Sequence, residues 1–223
     1  MARQRPVARA PSSVLAGLIS MAALGACSAT TSPNIVLITI DTLRADHCSV
    51  YGYGLGTTPR LGKLAREGAR VETAYVPMPS TGPAHASLFT SRYPLAHRVL
   101  KNGHVLDDEY PVLAEMLERA GYRTAAFVSS FVLDDRFGFG QGFDSYDDDF
   151  RGANGSYKNM QHWEGIEVPG EFDRRANETT DRAISWLRKN GRRGGFFLWL
   201  HYMDPHEPYD QPEPWRQSTS SRR

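Results

Sequence analysis

Two cysteines among 223 residues, Cys27 and Cys48, are too few for a disulfide framework or a cysteine-held metal cluster. Any metal ion must therefore be held by oxygen and nitrogen. The chain also lacks an excess of either charge. With 26 Lys and Arg against 25 Asp and Glu, no bulk field draws the protein to nucleic acid or to an acidic membrane surface, so a nucleic-acid partner is not expected. Acidic residues are missing altogether before Asp41. The N-terminal apolar run from Val14 to Ala26 is about a dozen residues, short of the roughly 20 that a membrane-spanning helix needs.

What is present at that end is ordered like an export signal, with Arg3, Arg5 and Arg9 first, the short apolar run next, and Gly25 and Ala26 directly before Cys27. Leu24 to Cys27 resembles a bacterial lipobox. On that reading residues 1–26 are removed, Cys27 receives the lipid, residues 27–33 form a linker, and the exported protein is held to a membrane by its anchor. The plainer alternative is a secretory signal with an incidental cysteine. The remaining 197 or so residues suffice for one substantial core, so one domain over 34–223 is the default.

Along that domain, Asn34 to Ile40 is a nearly continuous β-branched run, the pattern of a strand covered on both faces. Thr58 to Gly68 carries a capping residue, a first-turn proline, helical apolar spacing and a terminal glycine. Val71 to Val76 reads as a second extended piece. Ser80 to Pro83 reads as a loop leading into a helix over Ala84–Thr90. A helix over Val112–Ala120, a strand over Thr124–Val128, a loop over Phe137–Phe150, a helix over Asp173–Asn190 and a buried strand over Phe196–Leu200 follow. Helices alternating with strands predict an α/β layered sandwich around a central, mostly parallel sheet.

Polar groups just beyond the carboxyl ends of buried strands mark where such folds keep their sites. Asp41 ends the first strand, where its carboxylate can hold a hard cation, although an acidic residue there is also a common cap or turn residue. Thr81 stands in a loop entering a helix, where backbone N–H groups and the helix dipole favour a tetrahedral anion. Its hydroxyl can attack if a metal or base activates it, and helix capping is the alternative. His85 lies one turn further on, able to face the same anion or simply to pack. His206 sits in a Pro-His-Glu-Pro loop stiffened by Pro205 and Pro208, which suits an acid or ligand and equally a turn. His47, His97, His104, His162 and His201 have no comparable setting, and Asp147 to Asp149 reads as a solvated acidic loop.

Taken together, Pro33 to Asp46, Tyr51 to Gly54, Thr57 to Leu61, Thr81 to Arg92, Gly121 to Ala125 and Phe196 to Tyr209 resemble the N-terminal half of a sulfatase, in the family's order, from residue 33 to about 210. The resemblance implies an alkaline phosphatase-like fold and hydrolysis of a small anionic ester. It implies a divalent cation (Ca, Mg, Mn or Zn) touched by Asp41 and Thr81, Thr81 as nucleophile, and His206 on the leaving group or oxyanion. Departures accompany it. Sulfatases carry cysteine or serine where Thr81 stands, oxidised to formylglycine, and threonine cannot yield that aldehyde. It can form a covalent ester directly, as phosphate-handling relatives do. His85 stands where the family has arginine, Ser129 and Phe131 where it has lysine and histidine, and Thr42 where it has a second aspartate.

A further metal-binding segment would lie beyond residue 223, so the chain is expected to be a fragment or truncated product, with strand Phe196–Leu200 uncovered on one side. Two readings follow. One is a sulfate or phosphate ester hydrolase, incomplete in this chain. The other is a catalytically inactive, sulfatase-like surface lipoprotein that binds anions.

Overall fold

The computed structural model describes residues 32–210. Cys27, the export signal and most of the linker lie outside them, as does the polar tail from residue 211.

Strand β1 (Ile35–Ile40) opens the fold, followed by helix α1 (Pro59–Glu67), α2 (Thr81–Thr90), the short α3 (Pro94–His97) and α4 (Leu113–Arg119). Then come β2 (Arg123–Phe127), β3 (Ser145–Asp147), the two-residue strands β4 (His162–Trp163) and β5 (Ile166–Glu167), α5 (Ala176–Asn190) and β6 (Phe196–Tyr202). Four strands form one sheet in the order β1-β6-β2-β3, every pairing parallel. The antiparallel β4–β5 pair stands apart from it.

Strand periodicity sorts side chains to the two faces of this sheet. Phe197 and Trp199 of β6 join Ile35 and Leu37 of β1 in the larger core with residues of α2, α4 and the 131–139 segment. Phe196, Leu198 and Leu200 meet α5 through Ala183, Trp186 and Leu187 on the other. Helices on both faces make the three-layer α/β sandwich that the alternating pattern predicts. The faces are unequally covered, because Val36 and Ile38 of β1 point to the α5 side and remain about half exposed, at 51% and 50%.

Four local expectations are corrected. Strand β6 is not open on one side: it lies between β1 and β2 with six of its seven residues buried, and among the described residues β1 and β3 are the edge strands. Val71 to Val76 forms no strand, and with Val71 and Val76 64% and 67% exposed, β-branched residues lacking a partner strand stay irregular. Thr81 is the first residue of α2 rather than part of a preceding loop, with Ser80 in extended geometry as its cap position. The 137–150 segment, read as loop, contributes β3, which pairs with β2 through Ala125↔Ser145 to Phe127↔Asp147.

Candidate functional site

The carboxyl ends of β1 and β6 and the amino end of α2 meet at one cavity of about 810 Å³, whose wall includes Thr39, Asp41, Thr42, Ser80, Thr81, His85, Asn102 and His206. Asp41 continues the alternation of Ile35, Leu37 and Thr39, so its side chain points to the α2 face, and its N–H donates to Tyr202 O at 2.8 Å. Thr42 then leaves the sheet line with a positive φ of 52°, an uncommon conformation for a β-branched residue. The Thr81 hydroxyl donates to Asp41 Oδ2 at 2.7 Å, joining residues forty positions apart.

Burial by itself would push the Asp41 carboxyl up. The neighbouring His201 ring, the hydrogen bond from Thr81 and the proximity of His85 outweigh that and hold it below the ordinary carboxylate range. His85 moves the other way from a usual imidazole: burial first, then its neighbour His201, lower it to about 4, against a smaller upward pull from Thr81 O and Asp41. It is therefore neutral at pH 7. Both of its nitrogens are engaged, Nδ1 with Thr81 O at 2.8 Å and Nε2 with Thr39 Oγ1 at 3.1 Å. Because Thr81 O can only accept, Nδ1 carries the proton. Thr39 Oγ1 also accepts from Trp199 Nε1 at 3.0 Å, so a chain of hydrogen bonds runs from the core to the Thr81 backbone.

His206 reaches the same cavity from the loop after β6. Its Nδ1 lies 3.0 Å from both the Tyr157 hydroxyl and Glu207 O, which leaves Nε2 for a ligand. The amino end of α2 has fewer spare donors than a loop would have. Asn102 Oδ1 accepts the Gly82 N–H at 2.7 Å and the Ser80 hydroxyl at 3.1 Å, Pro83 has no N–H, and the Ala84 N–H donates to Ser80 O. Thr81 N–H is what remains there.

The structure thus gathers Asp41, Thr81, His85 and His206. It adds two residues that local sequence did not single out. Asn102 stands 21 positions beyond Thr81 with no pattern to mark it. His201, fully buried, follows an apolar run and lies with Nε2 3.6 Å from Asp41 Oδ2. A polar residue closing a buried strand was the available signal. Ser129 and Phe131 stay away from the cavity: the Ser129 hydroxyl meets Thr179 Oγ1 at 2.6 Å, and Phe131 packs against Phe137, Trp163 and Phe172. Asp147 is no solvated loop residue, since it binds Arg174 and Arg182.

Among the described residues no three His, Cys, Asp or Glu side chains converge on a point suited to a metal ion. Asp41 and Thr81 supply two adjacent oxygens, which fit one side of a hard cation's shell. Magnesium in particular completes its shell with waters and substrate oxygens around one or two carboxylates.

A sulfatase family model matches residues 33–223. The N-acetylglucosamine-6-O-sulfatase of Bacteroides thetaiotaomicron is 25% identical over 210 residues, covering 92% of this chain and 37% of that protein. The multifunctional alkaline phosphatase superfamily protein PehA of Trinickia caryophylli is 28% identical, covering 83% of this chain and 44% of its own length. The phosphonate monoester hydrolase of Agrobacterium radiobacter shares the fold, with a TM-score of 0.60 at 22% identity over 83% of this chain and 43% of that one. The chain spans about two-fifths of the length of these curated relatives.

Proposed function

The chain belongs to the sulfatase family, and from that premise we propose that it carries the nucleophile half of a hydrolase site for sulfuric or phosphoric esters, with Thr81 as the attacking residue. The observation that carries this reading is the 2.7 Å bond from the Thr81 hydroxyl to Asp41 at the wall of the cavity. It points the hydroxyl proton at the carboxylate and leaves the oxygen lone pairs free. A carboxylate held below its ordinary range is a weak base, so Asp41 alone cannot ionise an alcohol. A divalent cation held by Asp41 and Thr81 would supply the positive charge that lowers the hydroxyl's pKa.

The chain's own residues then divide the work. Thr81 Oγ bonds to the sulfur or phosphorus, its proton passes to Asp41, and the bond from that atom to the ester oxygen breaks. His206, in its protonated form, gives the departing oxygen a proton through Nε2. Water next displaces Thr81 Oγ, returning one proton to His206, while Asp41 returns the other to Thr81. His85 stays neutral and holds the Thr81 backbone by Nδ1–H donation. Because threonine cannot become formylglycine, phosphoryl transfer is favoured at least as much as sulfuryl transfer. The sulfatase named above, and the alkaline phosphatase superfamily to which PehA belongs by name, support the class of bond cleaved.

One observation favours loss of turnover, the premise of the second reading of a non-catalytic protein: no Lys or Arg lines the described cavity to stabilise a developing oxyanion. Export and anchoring through a lipid on Cys27 belong to this proposal too, and intact-mass analysis of the exported chain tests them, an unmodified start elsewhere than Cys27 excluding the anchor. The test of catalysis compares aryl phosphate and aryl sulfate hydrolysis with Mg²⁺, Ca²⁺, Mn²⁺ or Zn²⁺. Turnover of the phosphate, abolished by Thr81→Ala and retained by Thr81→Ser, is expected. Turnover that survives Thr81→Ala removes the nucleophile. Saturable anion binding without turnover supports the second reading.

A further inference from the structure

We propose that His201 is the positioning residue of this site, holding Asp41 Oδ2 from inside the sheet so that Asp41 Oδ1 is presented to a cation. The proposal rests on Asp41 being the functional carboxylate.

In the parallel register His201 pairs with Thr39, two residues before Asp41 and on the same face. It has no exposed surface, and the rings of His85 and Trp199 lie 5.2 and 6.5 Å away by their centroids. The Ser129 N–H points at Nδ1 from 3.4 Å, which makes Nδ1 the acceptor and puts the proton of the neutral ring on Nε2. Nε2 is buried with no hydrogen-bond partner among the described residues. A buried donor left unpaired costs about 1–3 kcal/mol, and a core that needed only volume at this position would be filled by an apolar side chain.

Nε2 faces Asp41 Oδ2 at 3.6 Å, just beyond hydrogen-bond range, and a small rotation of either side chain closes the gap. Oδ2 already accepts from Thr81. With His201 it has two donors on one oxygen, whereas Oδ1 has none among the described residues. A carboxylate held by one oxygen keeps the other in a fixed direction, as outer partners of metal-ligating carboxylates do. Ser129, His201 and Asp41 therefore form a relay of orientation from β2 through β6 to β1.

The two amide side chains separate this role from simple packing. Asn places its oxygen near the position of Nδ1 and keeps the acceptor for Ser129, whereas Gln places its NH₂ near Nε2 and keeps the donor for Asp41. The experiment uses the full 223-residue chain and has two readouts, neither of which involves hydrolysis. The first is ring ¹⁵N NMR of the wild type, where His201 is expected as the Nε2–H tautomer. The second is titration with Mn²⁺ alone, where His201→Asn is expected to weaken binding by about 10–100-fold and His201→Gln by only about threefold. Thermal transitions establish that both variants are folded. An Nδ1–H tautomer overturns the proposal, as does Mn²⁺ affinity that His201→Asn leaves unchanged or that the wild type lacks. Loss of the Thr81 nucleophile in the hydrolysis assay would leave both results standing, so the two readings fail separately.

Discussion

Replacing Arg174 by Leu should destabilise the protein far more than the same change at Arg182, although both guanidinium groups bind Asp147. The Arg174 side chain has no exposed surface, and that of Arg182 is 34% exposed. Arg174 donates from Nε to Thr179 Oγ1 at 3.0 Å, from Nη1 to Asp147 Oδ1 at 2.5 Å and from Nη2 to Asp147 O at 2.9 Å. Burial pulls its pKa down, and Asp147 offsets that only in part. Its removal takes a donor from four acceptors, Asp149 O at 3.5 Å among them and two on the partly buried Asp147, which keeps Arg182 at 2.9 Å. Breaking a buried pair costs about 3–5 kcal/mol, and the surviving partner sets the expectation at the lower end, about 3 kcal/mol. A domain of this size then melts roughly 6–12 °C lower. Arg182→Leu, losing a solvent-screened pair, should cost about 0–1 kcal/mol. Urea denaturation of the two variants beside the wild type measures both. Costs within about 1 kcal/mol of each other would refute the burial argument. Thr179 Oγ1, which accepts from Arg174 Nε, also meets the Ser129 hydroxyl at 2.6 Å, so the variant should disturb the Ser129 side of His201 as well.

His85, lowered to about 4, binds fewer protons when folded than when unfolded, where an imidazole titrates near 6.5. Its contribution is intact above about pH 6.5 and is lost as pH falls towards 4, by about 3 kcal/mol. Urea midpoints should fall more between pH 7 and pH 4 for the wild type than for His85→Gln, and parallel losses would contradict this. Gly82→Ala places a Cβ 3.2 Å from Asn102 Oδ1, which must shift and weaken its bond to the Gly82 N–H. A loss of about 1 kcal/mol is expected, non-additive with Asn102→Ala in a double-mutant cycle. Ile38→Lys, at a half-exposed position, should change stability by less than about 0.5 kcal/mol by thermal denaturation, while Leu37→Lys, aimed into the larger core, should prevent cooperative unfolding.

Much of the fold was legible because its signals are local. β1, β2 and β6 are short apolar runs, and α1 and α5 begin and end near the residues that their caps and periodicity indicate. Asp41, Thr81 and His206 could be read as site candidates since each follows a strand or precedes a helix. What escaped is non-local. His201 looks ordinary until β6 is laid beside β1, and Asp147 looks solvated until Arg174 arrives from 27 residues away. Val71 to Val76 shows the converse, β-branched composition without a neighbouring strand to pair with.

The central place of β6 also sets a schedule. Among the described residues β1 pairs with β6 alone, through residues such as Thr39 and Trp199, 160 positions apart, and Asp41 meets His201 over the same span. At about 5–20 residues per second, synthesis leaves Ile35–Ile40 waiting roughly 8–30 s after it is made before β6 can pair with it. During that interval a β-branched, uncharged hexapeptide is of the kind that pairs with other chains. The cavity, whose wall joins β1, α2 and the loop after β6, therefore forms only once β6 has inserted between β1 and β2.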